Sequence, residues 1–128
     1  AGRGREARAG DSVRVLLKGR LAAKQGWIFL DDETESAGEP RRYTIGSGEW
    51  IQGLDVAMRG MREGGVRRVI IPPPVSYQAP GEGPRPGSGM FRRRLESTIF
   101  NPTRIANGEG DTLATVIFDV ELVRIASE

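Results

Sequence analysis

The chain has 128 residues, with 19 Lys and Arg against 17 Asp and Glu; a net charge of +2 is too small to argue for nucleic acid as a partner. It has no Cys and no His, which excludes disulfides, thiolate metal sites and imidazole general-base chemistry, and no metal or cofactor is expected. Any catalysis must run on carboxylates, hydroxyls, backbone groups or desolvation.

The length fits one domain over residues 1–128, built on an aliphatic core because there are only two Trp, two Tyr and four Phe. Eighteen Gly and eight Pro predict many short elements joined by tight turns rather than a helical bundle. No apolar run approaches the roughly 20 residues that span a bilayer. A start at Ala1 rather than Met leads us to expect a processed or trimmed protein, its targeting segment outside this chain.

Residues 1–11 are rich in Gly and Arg and lack periodicity, so they read as a turn. Val13, Val15 and Leu17 alternate with Arg14, Leu16 and Lys18, the mark of a half-buried strand. Trp27 to Leu30 fits a second strand. The acidic stretch from Asp31 to Pro40 lacks the spacing of a calcium loop and reads as solvated. Arg41 to Ile45 forms a third strand that runs into Gly46-Ser47-Gly48, a tight turn rather than a phosphate cradle.

Ser47 is a candidate helix N-cap, with Glu49 in the first turn. Trp50, Ile51, Leu54, Met58 and Met61 then fall on one face at a 3.6-residue period, predicting an amphipathic helix. That face admits two readings, core packing or the floor of an apolar pocket opening at Trp50 and Ile51. Gly60 and Gly64-Gly65 end the helix, and Val66 to Ile71 is a β-branched strand stopped by Pro72-Pro73-Pro74. Residues 75–111 are irregular, with a short helix predicted over Met90–Phe100 from the spacing of Phe91, Leu95 and Ile99. Thr115 to Ile125 alternates again, with Val116, Phe118, Val120 and Leu122 on one face. One helix against one face of an antiparallel sheet is an α+β architecture.

Gly10-Asp11, Val13-Arg14-Val15, Gly19, Phe29, Tyr43–Gly53, Gly64–Pro73 and Phe118–Leu122, taken in order, resemble the FKBP-type peptidyl-prolyl cis-trans isomerases. The match covers nearly all of the chain outside 78–111, which resembles the insertion of the thylakoid-lumen (chloroplast) FKBPs of plants and algae. The resemblance implies a curved antiparallel sheet wrapped around one central helix, a long insertion before the last strand, and an extra N-terminal strand missing before residue 1. It also implies binding of proline-containing segments and prolyl isomerisation without nucleophile or metal.

Carried over by position, it implies Phe29, Ile51, Tyr77 and Phe118 as catalytic pocket residues, with Tyr43, Trp50 and Leu54 in binding roles. The Ile51 N–H would hold a substrate carbonyl. Tyr77 reads equally as a loop anchor and as a phenol able to donate to a substrate carbonyl. The chain departs from the family where Leu54 stands for the floor Trp, Trp50 for a Val, Leu17 for a Tyr and Arg41 for an aromatic wall. The pocket acid is displaced, Leu30 occupying its place and Asp31 following.

These departures imply weak isomerase activity in a degenerate pocket. The alternative is an inactive scaffold that docks on a photosynthetic membrane complex through the 78–111 insertion and Arg92, Arg93 and Arg94. What separates the two is whether Ile51, Tyr77 and Phe118 enclose an open cavity or are covered by the insertion.

Overall fold

The computed structural model describes residues 4–22, 26–35, 38–79, 81–100 and 114–126. Residues 101–111 of the insertion and the first three residues of the N-terminal turn lie outside these.

Strand β1 (Ser12–Leu21) buries Val13, Val15, Leu17 and Leu21 on one face. Its alternation is that of the sequence: side chains on a strand point to opposite faces in turn, so one apolar set faces the core. The strand is shared by three partners. Along one edge the whole of β1 pairs antiparallel with β5 (Val116–Ala126), from Ser12 opposite Ala126 to Leu21 opposite Val116. Along the other edge two short strands sit end to end. Arg41–Thr44, strand β3, pairs with Ser12–Val15, and Ile28–Asp31, strand β2, pairs with Lys18–Arg20. Strand β4 (Val66–Ile71) pairs with the outer edge of β5. The sheet is antiparallel throughout, curved and not closed, in the order β2-β1-β5-β4 with β3 beside β1.

Helix α2 (Gln52–Met58) is the central helix and buries Leu54, Ala57 and Met58. Leu54 and Met58 join Val15, Leu17, Phe118 and Val120 in the core. A Cβ at Gly53 would stand 2.6 Å from Ile71 Cγ2 and 3.1 Å from the Val75 carbonyl oxygen, so glycine is what lets α2 lie against the end of β4.

The sequence pattern overextends this helix. Trp50 and Ile51 precede α2: Ile51 has the extended angles φ −54°, ψ 144°, and Trp50 forms an isolated parallel bridge with Gly83. Met61 follows the helix and is buried all the same. Ser47 does not cap α2. Its hydroxyl accepts from the Glu49 N–H at 3.4 Å, inside the turn that Gly46 and Gly48 make at φ 89° and 79°. Helical spacing and an extended approach to a helix both bring Trp50 and Ile51 beside Leu54, and periodicity cannot separate them.

Two further helices are present among the described residues. The stretch expected as a solvated loop instead starts at the end of β2 and continues into α1 (Asp32–Glu35), and Asp32 is only 1% exposed. The insertion carries α3 (Gly89–Ile99), close to the helix the spacing of Phe91, Leu95 and Ile99 predicts. The Ser88 hydroxyl caps it by accepting from the Phe91 N–H at 3.1 Å, and Leu95 and Ile99 are buried in the core cluster. Helix α3 of the insertion is therefore folded onto the body of the protein.

Gly53→Ala tests the packing of α2. Alanine raises helix propensity by about 1 kcal/mol over glycine. The added methyl meets a branched side chain and a backbone oxygen, neither free to move, and overpacking of this kind costs about 1–3 kcal/mol. The net expectation is a loss of stability of about 1 kcal/mol or more by urea denaturation; a gain would show that α2 shifts freely.

Candidate functional site

Phe29 of β2, Phe118 of β5 and Tyr77, which follows the short 3-10 turn Pro73–Val75, converge over the inner face of the sheet. Phe29 meets Tyr77 edge-on with ring centroids 6.0 Å apart, and Phe118 edge-on at 5.7 Å. The rings can approach because β1 carries Gly19 beneath them, where a Cβ would lie 2.8 Å from Phe29 Cζ and 2.9 Å from Phe118 Cε1. Leu54 is fully buried within the same core. Tyr43 stands apart, stacked on Trp50 at 4.3 Å with the planes 16° from parallel. All the residues singled out by sequence are thus brought into one region, in two aromatic groups. Ile51, Leu54, Tyr43, Tyr77, Phe29 and Phe118 are each no more than 3% exposed.

Tyr43 is held by a carboxylate. Its hydroxyl donates to Asp55 of α2, which also accepts from the Gly46 N–H at 2.8 Å and from Arg59 at 3.0 and 2.9 Å. Burial alone would push the Asp55 carboxyl up, but the bonds from Tyr43, Gly46 and Arg59 outweigh it and hold the pKa below the usual value of 3.8. The Tyr43 phenol is driven the other way, by burial first and by the Asp55 acceptor second. The pair is therefore a neutral donor on an ionised acceptor. It locks the 44–50 turn to the helix and sets the plane on which Trp50 stacks.

Two donors face the space beside these rings, and both are occupied. The Ile51 N–H donates to the Gly83 carbonyl at 2.9 Å, and the Tyr77 hydroxyl donates to the Pro84 carbonyl at 2.7 Å. Burial raises the Tyr77 phenol well above the ordinary tyrosine value, the nearby Arg41 charge opposing in part, so the phenol stays protonated. The Gly83–Pro84 peptide bond is cis, and Pro84 is buried. The Glu82 carboxylate accepts from the backbone N–H groups of Gln78 and, at 2.9 Å, Ala79. Tyr77 thus serves as anchor of its own loop and as a hydroxyl donor to a prolyl carbonyl in one contact. Both donors are thus engaged by the insertion, through Gly83 and Pro84.

Where the family pattern has an aromatic wall at 41, the chain has an arginine paired with a buried carboxylate. Asp32 accepts from the Leu17 N–H at 2.9 Å and from Arg41 Nε at 2.8 Å. Asp31, the acid that follows Leu30, is only partly buried and sits 4.0 Å from Lys18. Asp32 is the residue that sequence reasoning missed. The doublet Asp31-Asp32 was visible, but only the pairing of β1 with β2 and β3 shows which carboxylate turns inward. Of Arg92, Arg93 and Arg94, the last is engaged within the protein. Its guanidinium lies 5.4 Å from the Trp27 ring and 5.2 Å from the Phe91 ring, and it donates to the Ile28 carbonyl at 3.0 Å. Arg92 and Arg93 are exposed.

A family model described as FKBP-type peptidyl-prolyl cis-trans isomerase matches residues 3–123. The chain is 50% identical over 118 residues to peptidyl-prolyl cis-trans isomerase FKBP17-1, chloroplastic, of Arabidopsis thaliana, a match covering 89% of this chain and 52% of that protein. It is 33% identical over 134 residues to peptidyl-prolyl cis-trans isomerase FKBP19, chloroplastic, of the same plant, covering 97% of this chain and 50% of that one. Among solved structures, the crystal structure of FkpA from Escherichia coli superposes with a TM-score of 0.63 at 25% identity, covering 98% of this chain and 44% of that one. The chain spans about half the length of the relatives it matches.

Asp55→Asn tests the carboxylate that organises the Tyr43 side. A depressed carboxylate pKa contributes stability that is present above the ordinary value of 3.8 and is lost as the pH falls through the lower folded value. The wild type should therefore lose stability in acid more steeply than Asp55→Asn. At neutral pH the variant should be about 1–3 kcal/mol less stable, because three donors lose a charged acceptor. Parallel slopes of denaturation free energy between pH 5 and pH 2 would show that the carboxylate is not held in this way.

Proposed function

We propose, for a chain that belongs to the FKBP-type peptidyl-prolyl cis-trans isomerase family, that it binds proline-containing polypeptide segments at Ile51 and Tyr77 and speeds their rotation weakly. FKBP domains in general bind such segments. The observation that carries the reading here is that the Ile51 N–H and the Tyr77 hydroxyl hold carbonyls of two successive residues, the second a proline. A site with that spacing of donors fits the backbone of an Xaa–Pro unit.

Rotation about such a bond is opposed by amide resonance, a barrier of roughly 18–20 kcal/mol. Phe29, Phe118 and Tyr77 supply apolar walls that favour the twisted, less polar amide over the planar one. The Ile51 N–H holds an adjacent carbonyl while the bond turns. Catalysis is then preferential binding of the twisted state, with no covalent step. Low activity follows from the pocket's composition. A floor of Leu54 and an ion-paired Arg41 offer less aromatic surface than the family pattern, and Trp50 with Tyr43 forms a separate stack.

The chloroplast is the compartment of the two plant relatives by name, and we extend it to this chain, with the thylakoid lumen as the site within it. A second reading rests on α3. Arg92, Arg93 and Met90 project to solvent from a helix whose other face is built into the core, which favours an assembly role on a photosynthetic membrane complex.

A protease-free prolyl isomerisation assay at micromolar protein should show a rate above buffer. Phe29→Leu, which removes both edge-on ring contacts and keeps an apolar side chain, should lower it severalfold. No rate above buffer would remove the isomerase reading. For the second reading, Arg92→Glu with Arg93→Glu should abolish co-purification with thylakoid complexes; unchanged co-purification would reject it.

A further inference from the structure

We infer that Glu82–Pro86 is an intramolecular ligand of the Ile51/Tyr77 site, so that a proline-containing client binds only when this segment leaves. The inference rests on the proposed role of Ile51 and Tyr77, and four observations carry it. Both donors of the site are satisfied by the segment, at Gly83 and Pro84. Pro84 and Pro86 are buried although they belong to an insertion. The fit is close at the residue before proline, where a Cβ on Gly83 would stand 2.7 Å from Trp50 Cδ1 and 2.9 Å from the Glu49 carbonyl oxygen. The segment is tied at both ends, by Glu82 to the Gln78 and Ala79 N–H groups and by the Gly87 N–H to Glu35 at 3.3 Å.

A ligand tethered by so few residues from Tyr77 acts at high effective concentration. A client in solution competes against it, and its apparent affinity falls by the fraction of molecules in which the site is free. The Gly83 geometry also sets the preferred client, a segment with glycine before the proline, because Trp50 leaves no room for a larger residue in the seated pose.

The test compares the wild-type chain with Pro84→Gly and with a variant in which residues 82–86 are replaced by a Gly–Ser linker. Hydrogen exchange at the Ile51 amide should rise about tenfold or more in both, while the Leu122 amide, bonded to Gly65 at 2.9 Å, keeps its protection and reports an intact fold. The synthetic peptide Glu-Gly-Pro-Arg-Pro, added in trans, should bind the linker variant at least about tenfold more tightly than wild type. The same peptide with Ala in place of Gly should bind more weakly by a similar factor. Equal binding of the first peptide to both proteins, or none to a linker variant with native Leu122 protection, would overturn the inference. A linker variant that binds the peptide but does not speed prolyl rotation would uphold this inference and overturn the isomerase reading.

Discussion

A buried hydrogen-bond donor must find an acceptor, and two such donors, the Ile51 N–H and the Tyr77 hydroxyl, govern the shape of this protein around its aromatic cluster. Leaving either unpaired in so dry a place costs about 1–3 kcal/mol. The chain meets both demands with its own Gly83 and Pro84 carbonyls. Much of the neighbouring structure follows. Trp50 bridges to Gly83 and Ile51 stays extended, so α2 starts at Gln52. The Glu82 carboxylate holds the Gln78 and Ala79 N–H groups, which delivers the next residues to the site.

The pocket has exchanged aromatic surface for charge. Asp32 and Arg41 form a pair with the carboxylate almost wholly buried, and the remaining Asp32 oxygen takes the Leu17 N–H, so the cost of desolvating the acid is offset by directed bonds. On the other side, Asp55 gathers Tyr43, Gly46 and Arg59 about one carboxylate. Two buried acids therefore frame the site. Removing either would leave several donors without a partner, so they serve position more than chemistry. The insertion completes the enclosure: α3 adds Leu95 and Ile99 to the core, and Arg94 clamps it to Trp27 and the Ile28 carbonyl.

The strands were readable because their information is local. Val13, Val15 and Leu17, or Val116, Phe118 and Val120, alternate with a period of two that any buried strand face requires. Helix α3 was readable for the same reason, from Phe91, Leu95 and Ile99 at helical spacing. The start of α2 was not. Trp50 and Ile51 satisfy a helical period as they stand, and their extended backbone depends on Gly83, more than thirty residues away. The sequence does not single out Asp32, because which member of an acidic doublet turns inward depends on where Leu17 and Arg41 lie across the sheet.

The amino-acid sequence by itself determined the antiparallel α+β fold and the family, since each rests on periodicity or on residue identity at ordered spacings. Only the tertiary structure decided which acceptors the Ile51 N–H and the Tyr77 hydroxyl meet. Those partners depend on long-range hydrogen bonds to a loop with no periodic signal, and on a clearance of a few ångströms between Gly83 and Trp50. Such contacts arise from the packing of distant segments, and no local pattern encodes them.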